Sequence, residues 1–167
     1  YINLGKRDYP DLKGLGFKKE IISDTEKARG AYSIFPTNDE IVANQKAVTD
    51  KKDIASDHLK AAIKEVVNRI YLRYGEDSPE MKKAGGRSVS LKDAALCEKG
   101  GRVERVGREY LEELKENGLT EEMLKDLKEC TNTFDDLIDE QKEAIVNSEL
   151  KTQERHKLAN TLYEYIV

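Results

Sequence analysis

Phe35-Pro36-Thr37-Asn38-Asp39-Glu40-Ile41 ends one helix and opens another. Proline cannot donate a backbone hydrogen bond, and its ring clashes with the preceding turn, so Pro36 stops a helix arriving from the N-terminal side. Thr37-Asn38-Asp39-Glu40 then has capping-box spacing. Thr37 is placed to accept from an amide of the first turn while Glu40 reaches back. A link this short makes the two helices antiparallel neighbours.

Apolar periodicity extends the hairpin in both directions. Upstream, Phe17, Ile21, Thr25, Ala28, Tyr32 and Phe35 recur in steps of three and four and predict a helix over 17–35. Downstream, Ile41, Gln45, Val48, Lys52, Ala55, Leu59, Ala62, Val66 and Ile70 predict a helix running to Tyr74, about 55 Å long at 1.5 Å per residue. Lys52 interrupts this stripe. Gly75 suits the C-terminal cap.

A second hairpin is written around Asn117-Gly118-Leu119-Thr120. Val103, Val106, Tyr110, Leu111 and Leu114 give a helix over 102–117, with Gly118 left-handed at its end and Leu119 folded back on Leu114. Thr120 is the N-cap of the last helix, and Glu121 and Glu122 favour the positive end of its dipole. That helix carries Leu124, Leu127, Cys130, Phe134, Leu137/Ile138, Gln141, Ile145 and Ser148. It turns polar at Thr152 and Arg155 and resumes at Leu158, Leu162 and Ile166, with near-heptad spacing.

The expected fold is therefore all-α, a four-helix bundle of two antiparallel hairpins joined by an irregular connector. Residues 1–16, with Gly5, Pro10, Gly14 and Gly16, are expected as an irregular N-terminal arm. Residues 17–167 are expected as one domain, with hairpins over 17–74 and 102–167 and the connector over 75–101. Within the connector, Ser78-Pro79-Glu80 reads as an N-cap followed by proline at the first helical position. A short helix is expected near Ser90–Asp93, and Gly85-Gly86 and Gly100-Gly101 read as breaks.

Tyr74-Gly75-Glu76-Asp77-Ser78-Pro79-Glu80, followed by Gly85-Gly86-Arg87-Ser88, resembles a group of uncharacterised bacterial helical proteins. The turn at Asn117-Gly118-Leu119 is similar to that of bacterial four-helix proteins of unknown function. This chain departs from the pattern after Ser88, where Val89 and a short polar segment stand in place of a dense basic tail. The resemblance implies a helical-hairpin fold and a bacterial origin. It implies no activity and no site.

The chain has 167 residues, a net charge of −4 and 37% charged residues, which fits long amphipathic helices with solvated outer faces. Charge is uneven. Residues 82–108 hold eight basic and three acidic side chains, a local excess of +5 that leaves −9 to the remainder. Arg102, Arg105 and Arg108 step by three along the predicted third helix. With Arg87 they are the candidate site for an anion or an acidic partner, against the alternative that the chain's own carboxylates neutralise them. Gly85-Gly86-Arg87-Ser88 lacks P-loop spacing and a preceding strand. Gly100-Gly101-Arg102 reads as a helix start able to receive an anion on free amides.

Other chemistries find less support. A di-iron carboxylate bundle needs Glu-x-x-His on two helices, but Ala55 and Gln153 precede His58 and His156 by three. Zinc held by His58 and His156 with Asp57 and Glu154 is weighed against two histidines among charged neighbours, and the latter is preferred. Cys97 and Cys130 have no CxxC spacing and read as free thiols. No nucleophile set stands out, so no catalytic residue, metal or cofactor is expected. No apolar run reaches the ~18 residues of a membrane span, and no signal-peptide pattern occurs. The expectation is a cytoplasmic, non-enzymatic protein, trimmed or whole, that engages a protein partner or itself. Nucleic-acid or anion binding through the connector and third helix is the alternative.

Overall fold

The computed structural model describes residues 2–14 and 18–165, and every regular element among them is helical. The elements are α1 Ile2–Lys13, α2 Lys19–Ile34, α3 Asn38–Tyr74, α4 Pro79–Ala84, α5 Asp93–Glu109, α6 Leu111–Leu114 with a 3-10 turn Lys115–Asn117, and α7 Glu121–Glu164. The chain is thus all-α, as read from periodicity. It holds more helices than the four expected.

Three boundaries differ from the sequence reading. Residues 2–13 form α1 in place of an irregular arm, with Pro10 inside the helix. The connector is not irregular throughout, because α4 fills its first part and α5 its last. Gly100-Gly101 does not break α5, and so opens no helix whose free amides could receive an anion. The reason is packing. A Cβ on Gly100 would stand 2.5 Å from Thr131 Oγ1 and 3.3 Å from Leu59 Cδ1, so glycine lets α5 lie close against α7 and α3. Phe17, expected in the first helix, lies outside the described residues.

The capping predictions match the geometry. The Thr37 amide donates to Glu40 Oε2 at 2.7 Å, and the Glu40 amide donates to Thr37 Oγ1 at 3.3 Å. The Thr37 hydrogen bonds also hold the Glu40 carboxyl below its ordinary value. Gly118 is left-handed at φ +82°, the Leu119 amide donates to Leu114 O at 3.1 Å, and both leucines are buried. The Met123 amide donates to the Thr120 hydroxyl at 3.2 Å.

Contacts divide the chain into two compact units, Tyr1–Gln45 with Ile145–Val167, and Lys46–Ala144. The division falls inside α3 and α7, not at the ends of the hairpins.

In the first unit α2 meets the start of α3 at the Pro36 turn. The last carbonyls of a helix lack intrahelical donors. Arg155 of α7 supplies them: Nη1 donates to Phe35 O at 3.2 Å and Pro36 O at 2.9 Å, and Nη2 to Tyr32 Oη at 3.1 Å. The guanidinium also stacks 4.5 Å from the Tyr32 ring centroid. The polar gap in the α7 stripe is therefore the clamp on the first turn. Lys6 and Glu26 pair α1 with α2.

The second unit holds the main core. Leu59, Ile63, Val66, Val67 and Ile70 of α3 pack with Met81 and Ala84 of α4, Leu96, Val103 and Val106 of α5, and Leu124, Leu127 and Phe134 of α7. The other polar gap is explained here. Lys52, only 12% exposed in its side chain, donates to Asp93 Oδ2 at 2.7 Å and ties α3 to the first residue of α5. Gln141 of α7 donates to Thr49 Oγ1 of α3 at 3.0 Å.

Candidate functional site at the basic connector

Local sequence shapes the connector closely. Gly75 at φ +85° closes α3. Ser78 caps α4, its hydroxyl accepting from the Met81 amide at 3.0 Å and donating to Gly75 O at 3.1 Å. Gly85 at φ +83° and Gly86 at φ +70° end α4, their amides returning to Lys82 O and Met81 O. Two successive positive φ values suit glycine alone among common residues. The chain leaves this turn with its carbonyls aimed toward α5.

Those carbonyls meet Lys99. Its Nζ donates to Gly85 O at 3.1 Å, Gly86 O at 2.8 Å and Ser88 O at 2.5 Å, and the residue is 5% exposed. Three bonds to three carbonyls use all three protons of an ammonium, so the geometry is that of charged lysine. No carboxylate pairs with it among the described residues. Burial pushes its pKa below the ordinary lysine value and the Arg102 charge adds to that, while the carbonyl dipoles favour the charged form.

The four predicted site residues surround this cage unequally. Arg87 turns back onto α3, its guanidinium 4.5 Å from the Tyr71 ring centroid, Nη2 3.5 Å from Asn68 Oδ1 and Nη1 3.8 Å from Glu76. Arg102 lies beside Gly85 and donates to Glu98 Oε1 at 2.7 Å, one turn back on α5. Arg108 pairs with Glu104. Arg105 is exposed, and among the described residues no carboxylate pairs with it. Arg87 and Arg102 therefore flank one loop, but the chain itself already engages three of the four.

Sequence reasoning passed over Lys99 because it was counted with the surface bases. A signal was present: Leu96, Lys99, Val103 and Val106 follow in steps of three, four and three, which puts the lysine on the buried stripe.

Other groups around the unit are tuned away from reactivity. Cys97 is raised to about 11, by burial first and then by Asp135 and Asp93, so it is a poor nucleophile at neutral pH. His58 lines a shallow hollow of about 170 Å3 with Asp126, Glu129 and Cys130. Among the described residues no group of three or more His, Cys, Asp and Glu side chains is placed to hold a metal ion.

No known protein family, curated protein or solved structure matches this chain.

Beyond the cage, α3 and α6 meet through Tyr74. Its hydroxyl donates to Glu113 at 2.7 Å, and its ring meets Tyr110 edge-on at 5.7 Å. Burial, then the Glu113 hydrogen bond, raise Tyr74 to about 12 from 10. A phenol whose folded pKa is raised contributes stability that is complete below pH 10 and lost as pH rises to about 12. Lys99 has the opposite sign, because its folded pKa is lowered. The Tyr74 share is isolated by comparison with Tyr74→Phe. The variant is expected to be less stable than wild type at pH 7 to 9, with the gap closing across pH 10 to 12 in urea titrations. A gap constant with pH would remove Tyr74 from the alkaline response.

Proposed function

We propose that this protein is a non-enzymatic helical binding protein that engages a protein partner or another copy of itself. The observation that carries this reading is the poor core of the first unit. Among its described side chains only Ile22, Ile41 and Thr25 are buried. Ile34, Val42, Val146, Leu150 and Tyr163 of the same unit stand 53–85% exposed. Single exposed apolar residues are ordinary on any surface. A unit that exposes more large apolar side chains than it buries gains stability from a partner that covers them.

The same reading takes the two predicted hairpins as a four-helix scaffold for that surface. Anion or nucleic-acid binding is the weaker reading, because internal contacts engage Arg87, Arg102 and Arg108. Free Cys97 and Cys130 suit a reducing compartment such as a cytoplasm, and a bacterial source fits the turn motifs. No helix among the described residues is long and apolar enough to cross a membrane.

The test uses the full chain with Ile34→Asp and Val42→Asp introduced together, both at exposed positions. Light scattering across a concentration series and capture on the immobilised chain are compared with wild type. Association that is present in wild type and reduced at least about tenfold in the variant supports the reading. A wild-type chain that stays monomeric throughout and captures nothing sinks it.

A further inference from the structure

The outward face of α7 carries a pattern that names one partner. The 3.6-residue period places Asp139, Glu143, Val146, Leu150, Gln153 and Lys157 along one side of this helix, in steps of four and three. All six are exposed, Val146 at 53% and Leu150 at 56%. Ser148, Thr152, Arg155 and Ala159, on the opposite side, are half-buried. The outward face is thus a second seam of near-heptad spacing, with two apolar residues at its centre and polar residues toward its ends.

The charges on this seam are not symmetric. Acids lie on the N-terminal side of the apolar pair, and lysine lies on the C-terminal side. A parallel copy would set Asp139 on Asp139 and Lys157 on Lys157. An antiparallel copy, related by a twofold at the level of Ser148, sets Val146 against Leu150 of the second copy. It also sets Glu143 against Gln153 and Asp139 against Lys157, each twice by symmetry. Asp139 is available for this. Its pair with Lys142 at 2.7 Å has both side chains at least 70% exposed, so water and salt already weaken it.

We infer that a second copy of this chain pairs antiparallel along the outward face of α7, with Val146 and Leu150 at the centre and Asp139–Lys157 ion pairs at both ends. The inference rests on the proposed binding function and names its partner. Complementarity in only one of the two directions argues for it, since like charges opposed across a helix pair select against the other. The seam is about 27 Å long, and its apolar centre is small beside a standard interface of ~1,600 Å2. The pairing is therefore reversible and depends on concentration.

Sedimentation velocity of the full chain, from micromolar to near-millimolar at low salt, tests this. Wild type is expected to show a monomer–dimer equilibrium that Leu150→Asp abolishes, with circular dichroism confirming that the exposed substitution leaves the helices intact. Asp139→Lys and Lys157→Asp are each expected to weaken the dimer roughly threefold to thirtyfold, because each reverses two ion pairs. Both reversals together restore it. A dimer indifferent to these changes, or a double reversal no better than the singles, overturns the seam. A strict monomer also overturns it. Capture of another protein through Ile34 and Val42 would then leave the broader binding function standing, and the two failures are told apart.

Discussion

Gly107→Ala is expected to lower stability by about 1–3 kcal/mol, whereas Gly101→Ala, on the same helix, is expected to raise it by about 0.5–1 kcal/mol. The two glycines share a helix interior, so helix preference favours alanine at both by the same amount. They differ in surroundings. A Cβ on Gly107 would stand 2.5 Å from Leu124 Cδ2 and 3.3 Å from Val66 Cγ1. Leu124 is fully buried and Val66 1% exposed, so neither has a free rotamer to move into. At Gly101 no atom lies within 4 Å of the added methyl. Gly100→Ala is expected to resemble Gly107→Ala. There the methyl would displace the Thr131 hydroxyl, which donates to Leu127 O at 2.8 Å. Urea unfolding with an unchanged m-value checks the pair. A neutral Gly107→Ala would mean that α5 and α7 are not in the close contact described here.

This packing also marks where the sequence stopped being legible. The caps at Thr37–Glu40, Ser78–Met81 and Asn117–Thr120 were readable because each is a local bargain between a side chain and the nearest orphan amides. The inward stripes of α3 and α7 were readable because period 3.6 reports a shared environment. Gly100-Gly101 misled because a glycine pair has two meanings, a broken helix or a close helix crossing, and only the identity of the neighbour decides. The gaps at Lys52 and Arg155 were visible as interruptions, but their partners, Asp93 and the Phe35–Pro36 carbonyls, lie 41 and about 120 residues away. No local rule reaches that far. Ile145 was placed on the buried stripe and is 38% exposed, because past Gln141 the inward face passes to Ser148, Thr152 and Arg155. The candidate site was legible in its location and not in its wiring. The basic connector was found from charge alone, while Lys99, the base that organises it, looked like any other surface lysine in a count.

Lys99→Met is expected to destabilise the protein by about 2–3 kcal/mol and to release the loop after α4. Methionine keeps the apolar stem against Leu96 and Val103, so little packing is lost and the change isolates the ammonium. Two opposing terms then decide the outcome. Removing a buried charge relieves its desolvation, which alone would stabilise the fold. Against this, the Gly85, Gly86 and Ser88 carbonyls lose their common donor at once, each with a charge-assisted bond worth about 1.5–3 kcal/mol. Gly85 and Ser88 are exposed enough for water to replace part of that loss, which brings the net figure down to the stated range. Hydrogen exchange separates this from a general weakening. Amides of residues 85–92 are expected to lose protection well before those of the α3 and α7 core. Lys99→Arg is not expected to rescue, since a planar guanidinium cannot send three bonds from one atom to three converging carbonyls. If Lys99→Met left both stability and loop protection unchanged, the cage would be incidental to the fold. The Arg87 and Arg102 arrangement around that loop would then need another support, because nothing else in the connector ties Ser88 to α5.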